Sequence, residues 1–409
     1  MSGEEPTHAN RDRHGNLPPE INGVALTVQA LAQGLDGSGH PVQLIRPRQK
    51  DAGVATGVSE DVKVRGAGIP RYPGLRFGLP ARRRLEELWS LQRPDAIYVA
   101  TEGPLGHSAL RAARRLGIAA STGFHTRFDD FARYYGIGFL TPLVFAWLRH
   151  FHRHAATTLV PTVELRDHLQ AQGFGDVRLL RRAVDTRLFA PARREESLRR
   201  ELGLDPADLC VIYVGRIAPE KNLALGIRAF RQIQQRHPRA RYVWVGDGPA
   251  RDAVATANPD FVFVGARRGD ELARYFSIGD IFPFASLSET FGNVTLEAMA
   301  SGVSTVAFDY GAAREHILHG ENGFRIARGD EAAFIDAVAQ LADDAPLRHR
   351  VASAARRAML PLNPQSVTDH FARTLASWGD PHERSGALEP GDTQRGMAIY
   401  LAANRPGLA

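Results

Sequence analysis

Two patterns of apolar residues alternate along the chain. Short unbroken apolar runs read as buried strands, and stretches with apolar residues every three or four positions read as amphipathic helices. After a polar opening, a helix is predicted over residues 24–35, stopped near Gly39, and then a short strand over 42–45. Residues 69–80, punctuated by Pro and Gly, are predicted as an ordered loop before a basic helix carrying Arg82, Arg83 and Arg84. Strands over 96–100, 118–122, 157–161 and 177–180 follow, with a Gly/Pro loop opening a helix to Leu116 and an aromatic helix over 139–154. Residues 184–191 read as a linker. The pattern then restarts. Strands are predicted over 211–214, 241–245, 261–264, 281–285 and 303–308. Helices are predicted up to Arg236, over 270–277, from Asn293 to Gly302, over 330–358, and over 364–378 with Phe371, Leu375 and Trp378 on one face.

Strand–helix alternation twice over predicts an α/β protein with two Rossmann-like, doubly wound parallel sheets. The expected division is a polar segment 1–16, an N-terminal domain 17–190, a C-terminal domain 191–362, a helix 363–378 returning toward the N-terminal domain, and a mobile tail 379–409. In such sheets ligands sit beyond the carboxyl ends of strands. Four loops lie at such ends: Gly123-Phe-His-Thr126, Gly215 to Lys221, Gly246-Asp-Gly248 and Ser288 to Asn293. One falls in the first half and three in the second, as a cleft between two facing domains would require.

Composition narrows the classes. A single cysteine, Cys210, excludes a disulfide framework and a cysteine metal cluster; it sits in an apolar run and should be a buried strand residue. The net charge of +6 favours anionic partners. Aromatics interleaved with a basic patch are absent, so nucleic acid is not an expected partner. The first twenty residues lack the apolar core of a secretory signal, and the uncharged stretch 136–148 is short of the roughly 20 residues that span a bilayer. A cytoplasmic protein is expected.

The turn Glu289-Thr-Phe-Gly-Asn293 passes from a strand into a helix, where unpaired N–H groups and the helix dipole favour an anion. Gly292 permits close approach of the backbone. Arg216 and Lys221 are five apart around another strand-to-helix turn. A guanidinium fork and an ammonium suit a diphosphate. His125 follows a strand and a glycine and could donate to a sugar hydroxyl, although a lone histidine is more often structural. Gly246-Asp247-Gly248 is not a dinucleotide fingerprint, since Arg251 stands where the third glycine belongs. No metal-ligand spacing is present.

Taken together, Gly215-Arg-Ile-Ala-Pro-Glu-Lys-Asn222, Val245-Gly-Asp-Gly-Pro249, and Ser288-Glu-Thr-Phe-Gly-Asn293 with Glu297-Ala-Met-Ala-Ser-Gly302 resemble the retaining GT-B glycosyltransferases of family 4 (group 1). Pro18-Pro-Glu-Ile-Asn-Gly23 and Phe124-His-Thr126 add to the likeness, which runs over residues 17–378. The loops at 69–80 and 101–106 and Tyr134-Tyr-Gly136 look closest to the bacterial lipid glycosyltransferases of the family, the diacylglycerol glycosyltransferases and mannosyltransferases. The resemblance implies a UDP- or GDP-linked sugar donor, a lipid or glycan acceptor, and no metal or other cofactor. It implies that Arg216 and Lys221 bind the diphosphate and steady it as it leaves. Phe291, Gly292 and Asn293 would offer backbone to phosphate and sugar, Glu289 would hold sugar hydroxyls, and Glu297 the ribose. Gly246, Asp247 and Gly248 would belong to the donor site, Gly23 would let the first loop close on the phosphates, and His125 would touch the transferred sugar. The basic helix at Arg82–Arg84 and the aromatic segment 134–154 are candidates for a face on an anionic membrane.

Family members carry an apolar strand directly before the Pro-Pro-Glu-x-Asn-Gly loop. Here that place holds Arg11-Asp-Arg-His-Gly-Asn16, which cannot be a buried central strand. A sheet without that strand would suit a catalytically impaired GT-B protein that binds sugar nucleotides or serves as a partner subunit. A GT-B epimerase or phosphorylase is disfavoured, because neither's catalytic loops are visible.

Overall fold

The computed structural model describes residues 19–48, 57–69, 72–124, 141–287, 289, 291–377 and 397–400. It divides into two compact units, residues 1–120 with 387–409, and residues 121–386. The strands in chain order are β1 (Val42–Pro47), β2 (Glu60–Val64), β3 (Gly66–Ile69), β4 (Tyr72–Gly78), β5 (Ala96–Val99), β6 (Ala119–Gly123), β7 (Thr157–Val160) and β8 (Val177–Leu179). They continue as β9 (Cys210–Val214), β10 (Arg241–Val245), β11 (Val262–Gly265), β12 (Ile281–Phe284), β13 (Ser304–Phe308), β14 (Phe324–Ile326) and β15 (Met397–Tyr400).

In the first unit four parallel strands lie in the order β2-β1-β15-β5. The helix Pro19–Gly37 lies on this sheet through Val28, Leu31 and Leu35, all buried. This corrects two expectations. Segment 379–409 is not all mobile tail, since residues 397–400 form a sheet strand. The sheet also has a strand in the place that the polar segment 1–16 could not fill. Backbone pairing on both edges selects that strand, and it ignores where in the chain the partner comes from. The first helix begins at Pro19, so Gly23 lies within a helix rather than a loop; proline's fixed φ and missing N–H suit a first helical turn. Residues 69–80 were expected as a loop, yet β3 and β4 pair antiparallel as a separate two-stranded sheet. Pro73 is tolerated there because a two-stranded ladder has open edges.

In the second unit β6, β7 and β8 are parallel neighbours. A second parallel sheet runs β11-β10-β9-β12-β13-β14, reversing direction of growth at β9/β12. β9 is buried along its whole length. Cys210 is fully buried in it, and burial pushes its thiol up to about 12. The expected boundary at 190/191 falls inside this unit, and the reason is bonding across it. Arg356 donates to the carbonyls of Thr186, Phe189 and Ala300, at 2.8, 2.8 and 2.9 Å. Glu315 accepts from the Val163 backbone N–H at 3.0 Å and faces Arg181 at 3.7 Å. Residues 330–358 resolve into two helices, Glu331–Asp343 and Ala345–Met359, because Asp330 caps the first and Asp344 with Pro346 starts the second. The helix Pro364–Ala376 buries Phe371 and Leu375, and His370 Nε2 lies 3.1 Å from the Leu179 carbonyl. Trp378 lies outside the described residues.

Candidate active site

β9 delivers the first loop. Its last residues run into Gly215, and the Tyr213 hydroxyl donates to the Arg216 carbonyl at 2.7 Å, which pins the turn. Tyr213 stacks on Trp244 at 4.4 Å, and burial raises its phenol above the ordinary range. A short 3-10 turn, Pro219–Lys221, follows. Asn222 then takes a left-handed φ of 52° before the helix Leu223–Arg236. Asparagine is among the few residues that visit this region readily. The turn sinks Lys221 until only 9% of it is exposed, while Arg216 stays half-exposed, 3.5 Å from Glu220.

β10 delivers the second loop, which lies against the first, backbone to backbone. The Gly215 N–H donates to the Val245 carbonyl at 3.0 Å, and the Ile217 N–H donates to the Asp247 carbonyl at 2.9 Å. A Cβ on Gly246 would stand 1.9 Å from the Gly215 oxygen, and one on Gly248 2.4 Å from the Ile217 oxygen. Both glycines are therefore fixed by loop-on-loop packing. Asp247 is exposed and accepts from the Gly248 N–H at 2.8 Å.

β12 delivers the third loop. Ser286 is buried, and its hydroxyl donates to Glu289 Oε1 at 2.9 Å; Lys221 Nζ reaches the same oxygen at 2.5 Å. The structure thus brings Lys221 and Glu289 into direct contact across two loops. Gly292 takes φ 89° and starts the helix Asn293–Ala300, whose first turn directs N–H groups outward. Phe291 is buried beneath this point, and its carbonyl accepts from the Ala312 N–H at 2.6 Å. Glu297, one turn into the helix, is partly exposed, yet close packing pushes its carboxyl up to about 7. Ser288, Thr290 and His125 lie outside the described residues, and Gly23 belongs to the other unit.

Several neighbours of this site carry no motif. Tyr310 donates to the Ser286 carbonyl at 2.5 Å, and Arg328 donates to the Leu287 carbonyl at 2.8 Å while lying 5.4 Å from the Tyr310 ring centroid. His316 packs its ring edge-on to Phe291 at 6.1 Å. Burial, helped by the Arg181 charge, pushes His316 down to about 4, so it is neutral at physiological pH. No spacing in the sequence announces these residues, since their elements meet the loop only through the fold. Among the described residues no cluster of His, Cys, Asp and Glu could hold a metal ion.

Comparison with known proteins gives this geometry a family. A family model described as Glycosyl transferases group 1 matches residues 208–344, and one described as Glycosyltransferase Family 4 matches residues 21–188. The chain belongs to glycosyltransferase family 4 (group 1). A GDP-mannose-dependent alpha-mannosyltransferase of Mycobacterium tuberculosis is 36% identical over 349 residues, covering 84% of this chain and 89% of the relative. Sulfoquinovosyl transferase SQD2 of Arabidopsis thaliana is 31% identical over 297 residues, covering 70% of this chain and 57% of its own. The alpha-monoglucosyldiacylglycerol synthase of Acholeplasma laidlawii is 24% identical, covering 76% and 83%. The crystal structure of Anabaena HepE in complex with UDP matches at TM-score 0.65 and 18% identity, covering 82% of this chain and 100% of that one. The fold is GT-B, as the motifs implied, and this family-4 chain is a hexosyltransferase. The three loops that carry Arg216 and Lys221, Gly246 to Gly248, and Glu289 to Glu297 all lie within the matched group 1 segment.

Proposed function

We propose that the protein transfers a mannosyl group from GDP-mannose to a lipid or glycan acceptor, with retention and without a metal, the donor being held by the loops after β9, β10 and β12. The observation that carries this is the Lys221–Glu289 contact at the start of the Asn293–Ala300 helix. A buried ammonium beside a carboxylate, next to a helix N-terminus, offers cations to a diphosphate and an acceptor to sugar hydroxyls in one place. Arg216 and Lys221 take up the charge that develops on the departing nucleoside diphosphate; Glu289 orients the sugar; the backbone of Phe291 to Asn293 meets the phosphate; Glu297 holds the ribose. Asp247, exposed beside Arg216's loop, completes the donor rim. The mannosyl donor follows the names of three relatives at 32–36% identity. Assay of purified protein against GDP-mannose, UDP-glucose and UDP-glucuronate, with diacylglycerol and a soluble glycan as acceptors, tests it. Turnover only with a UDP-sugar would overturn the donor assignment.

The acceptor side rests on the helix Thr141–His152. Leu143 and Trp147, four apart, are 69% and 44% exposed, and Arg149, His150, Arg153 and His154 line the groove beside them. Adjacent apolar and basic residues on one helix fit an anionic membrane at its cytoplasmic face. No helix among the described residues is long and apolar enough to cross a membrane. Leu143→Asp with Trp147→Asp should remove the protein from sedimenting anionic liposomes and leave nucleotide binding intact. Sedimentation equal to wild type would refute the membrane face.

A further inference from the structure

β1 and β5 are parallel strands of one sheet that do not pair with each other; each pairs with β15. Val42, Gln43, Leu44 and Ile45 register with residues 397–400 on one side, and Ala96, Ile97, Tyr98 and Val99 on the other. Neighbouring strands stand about 4.8 Å apart, so β1 and β5 are held two spacings apart. All eight of those flanking residues are buried. With the slot empty, two rows of N–H and C=O groups would face each other, too far apart to bond and too enclosed to hydrate. In the sequence β15 follows the helix Pro364–Ala376 after residues 377–396. Along the chain it is remote from every other strand of its sheet, so hydrogen bonding and packing alone hold it there.

We propose that the slot between β1 and β5 is a strand-binding site, that its occupant is the chain's own segment 397–400, and that glycosyl transfer requires the slot to be filled. The requirement for transfer rests on the glycosyltransferase reading above; the occupancy does not. Main-chain pairing supplies affinity in strand addition, and a tether raises the local concentration of its own strand above that of a competitor. The segment is also suited by composition. Residues 397–403, Met-Ala-Ile-Tyr-Leu-Ala-Ala, form an apolar run in an otherwise polar tail.

The test is a proline in the full-length chain. Ile399→Pro removes a main-chain donor from the paired run, and Asp392→Pro, upstream of the run, is the control. Ile399→Pro should lower transfer by about a hundredfold or more and abolish hydrogen-exchange protection at Val42–Ile45 and Ala96–Val99, with GDP and UDP binding unchanged. A synthetic peptide of residues 394–404 should restore both, and Asp392→Pro should behave as wild type. Wild-type protection in Ile399→Pro, or a peptide that restores neither property, overturns the proposal. Recovery of transfer on mixing Ile399→Pro with Lys221→Ala, without peptide, would show that strands pass between copies and would overturn the own-chain occupant. A wild-type chain that binds nucleotide but uses no donor would count against the function alone, because the exchange readout still reports on the slot.

Discussion

The two sheets around β9 and around β1 differ in how they are assembled. In the second unit, β9 to β14 come from one continuous run of chain, and the loops after β9, β10 and β12 carry the proposed donor site. In the first unit, β1 and β5 depend on a strand from the far end of the chain. The proposed donor site is therefore encoded within one run of chain. The sheet of the first unit is a collaboration between distant segments. Damage should remain local in one and spread in the other.

The largest effect expected in the donor loops is on turnover. Lys221→Ala should cut it at least a hundredfold, about 3–4 kcal/mol in the barrier, and Arg216→Ala should do the same; the half-exposed Arg216 variant should keep its melting temperature, while Lys221→Ala, which strips Glu289 of its cation, should lower it. Steady-state kinetics beside thermal denaturation checks this. Near-wild-type rates in either variant would break the picture of a self-contained charged site.

A smaller effect is expected from Gly246→Ala. Its Cβ would meet the Gly215 oxygen at 1.9 Å, so the two loops must part. Overpacking of this kind costs about 1–3 kcal/mol of stability, and nucleotide affinity should fall with it. Chemical denaturation with a nucleotide titration reads both; unchanged values would show that the loops yield freely.

The smallest effect sharpens the comparison through pH. Burial holds Glu297 up to about 7 from an ordinary value of 4.5. The sign follows: the folded state favours the protonated carboxyl, so this group's contribution to stability is complete below about 4.5 and is lost as pH rises toward 7. Ribose hydroxyls call for the ionised form. GDP affinity should therefore rise several-fold between pH 6 and 8, and Glu297→Gln should flatten that profile. A calorimetric profile in wild type as flat as in the variant would remove Glu297 from the ribose.

Much of this stands in the chain itself. Arg216, Lys221 and Gly292 are residues a strand-to-helix turn uses to meet an anion, Glu289 is a carboxylate suited to sugar hydroxyls, and their spacing stands in the chain. The glycines 246 and 248 were legible as a motif but not as packing, because the Gly215 and Ile217 oxygens they face come from another loop. The direct Lys221–Glu289 contact, the support from Tyr310 and Arg328, and the neutral His316 carried no periodicity to read. Residues 397–403 did carry a signal, an apolar run long enough for a strand. Within a polar tail with scattered Pro and Gly, a four-residue strand is indistinguishable from a chance cluster until two flanking edges claim it.

The sequence by itself determined the two alternating α/β halves, the loops at the carboxyl ends of the strands, and the charges those loops present. These depend on residue periodicity and on interactions within a few positions. Only the tertiary structure decided which strand lies between β1 and β5, which carboxylate meets Lys221, and which glycines are fixed by another loop. Those outcomes depend on backbone pairing, a side-chain ion pair and close steric approach between separate segments, and such contacts form in space without regard to order along the chain.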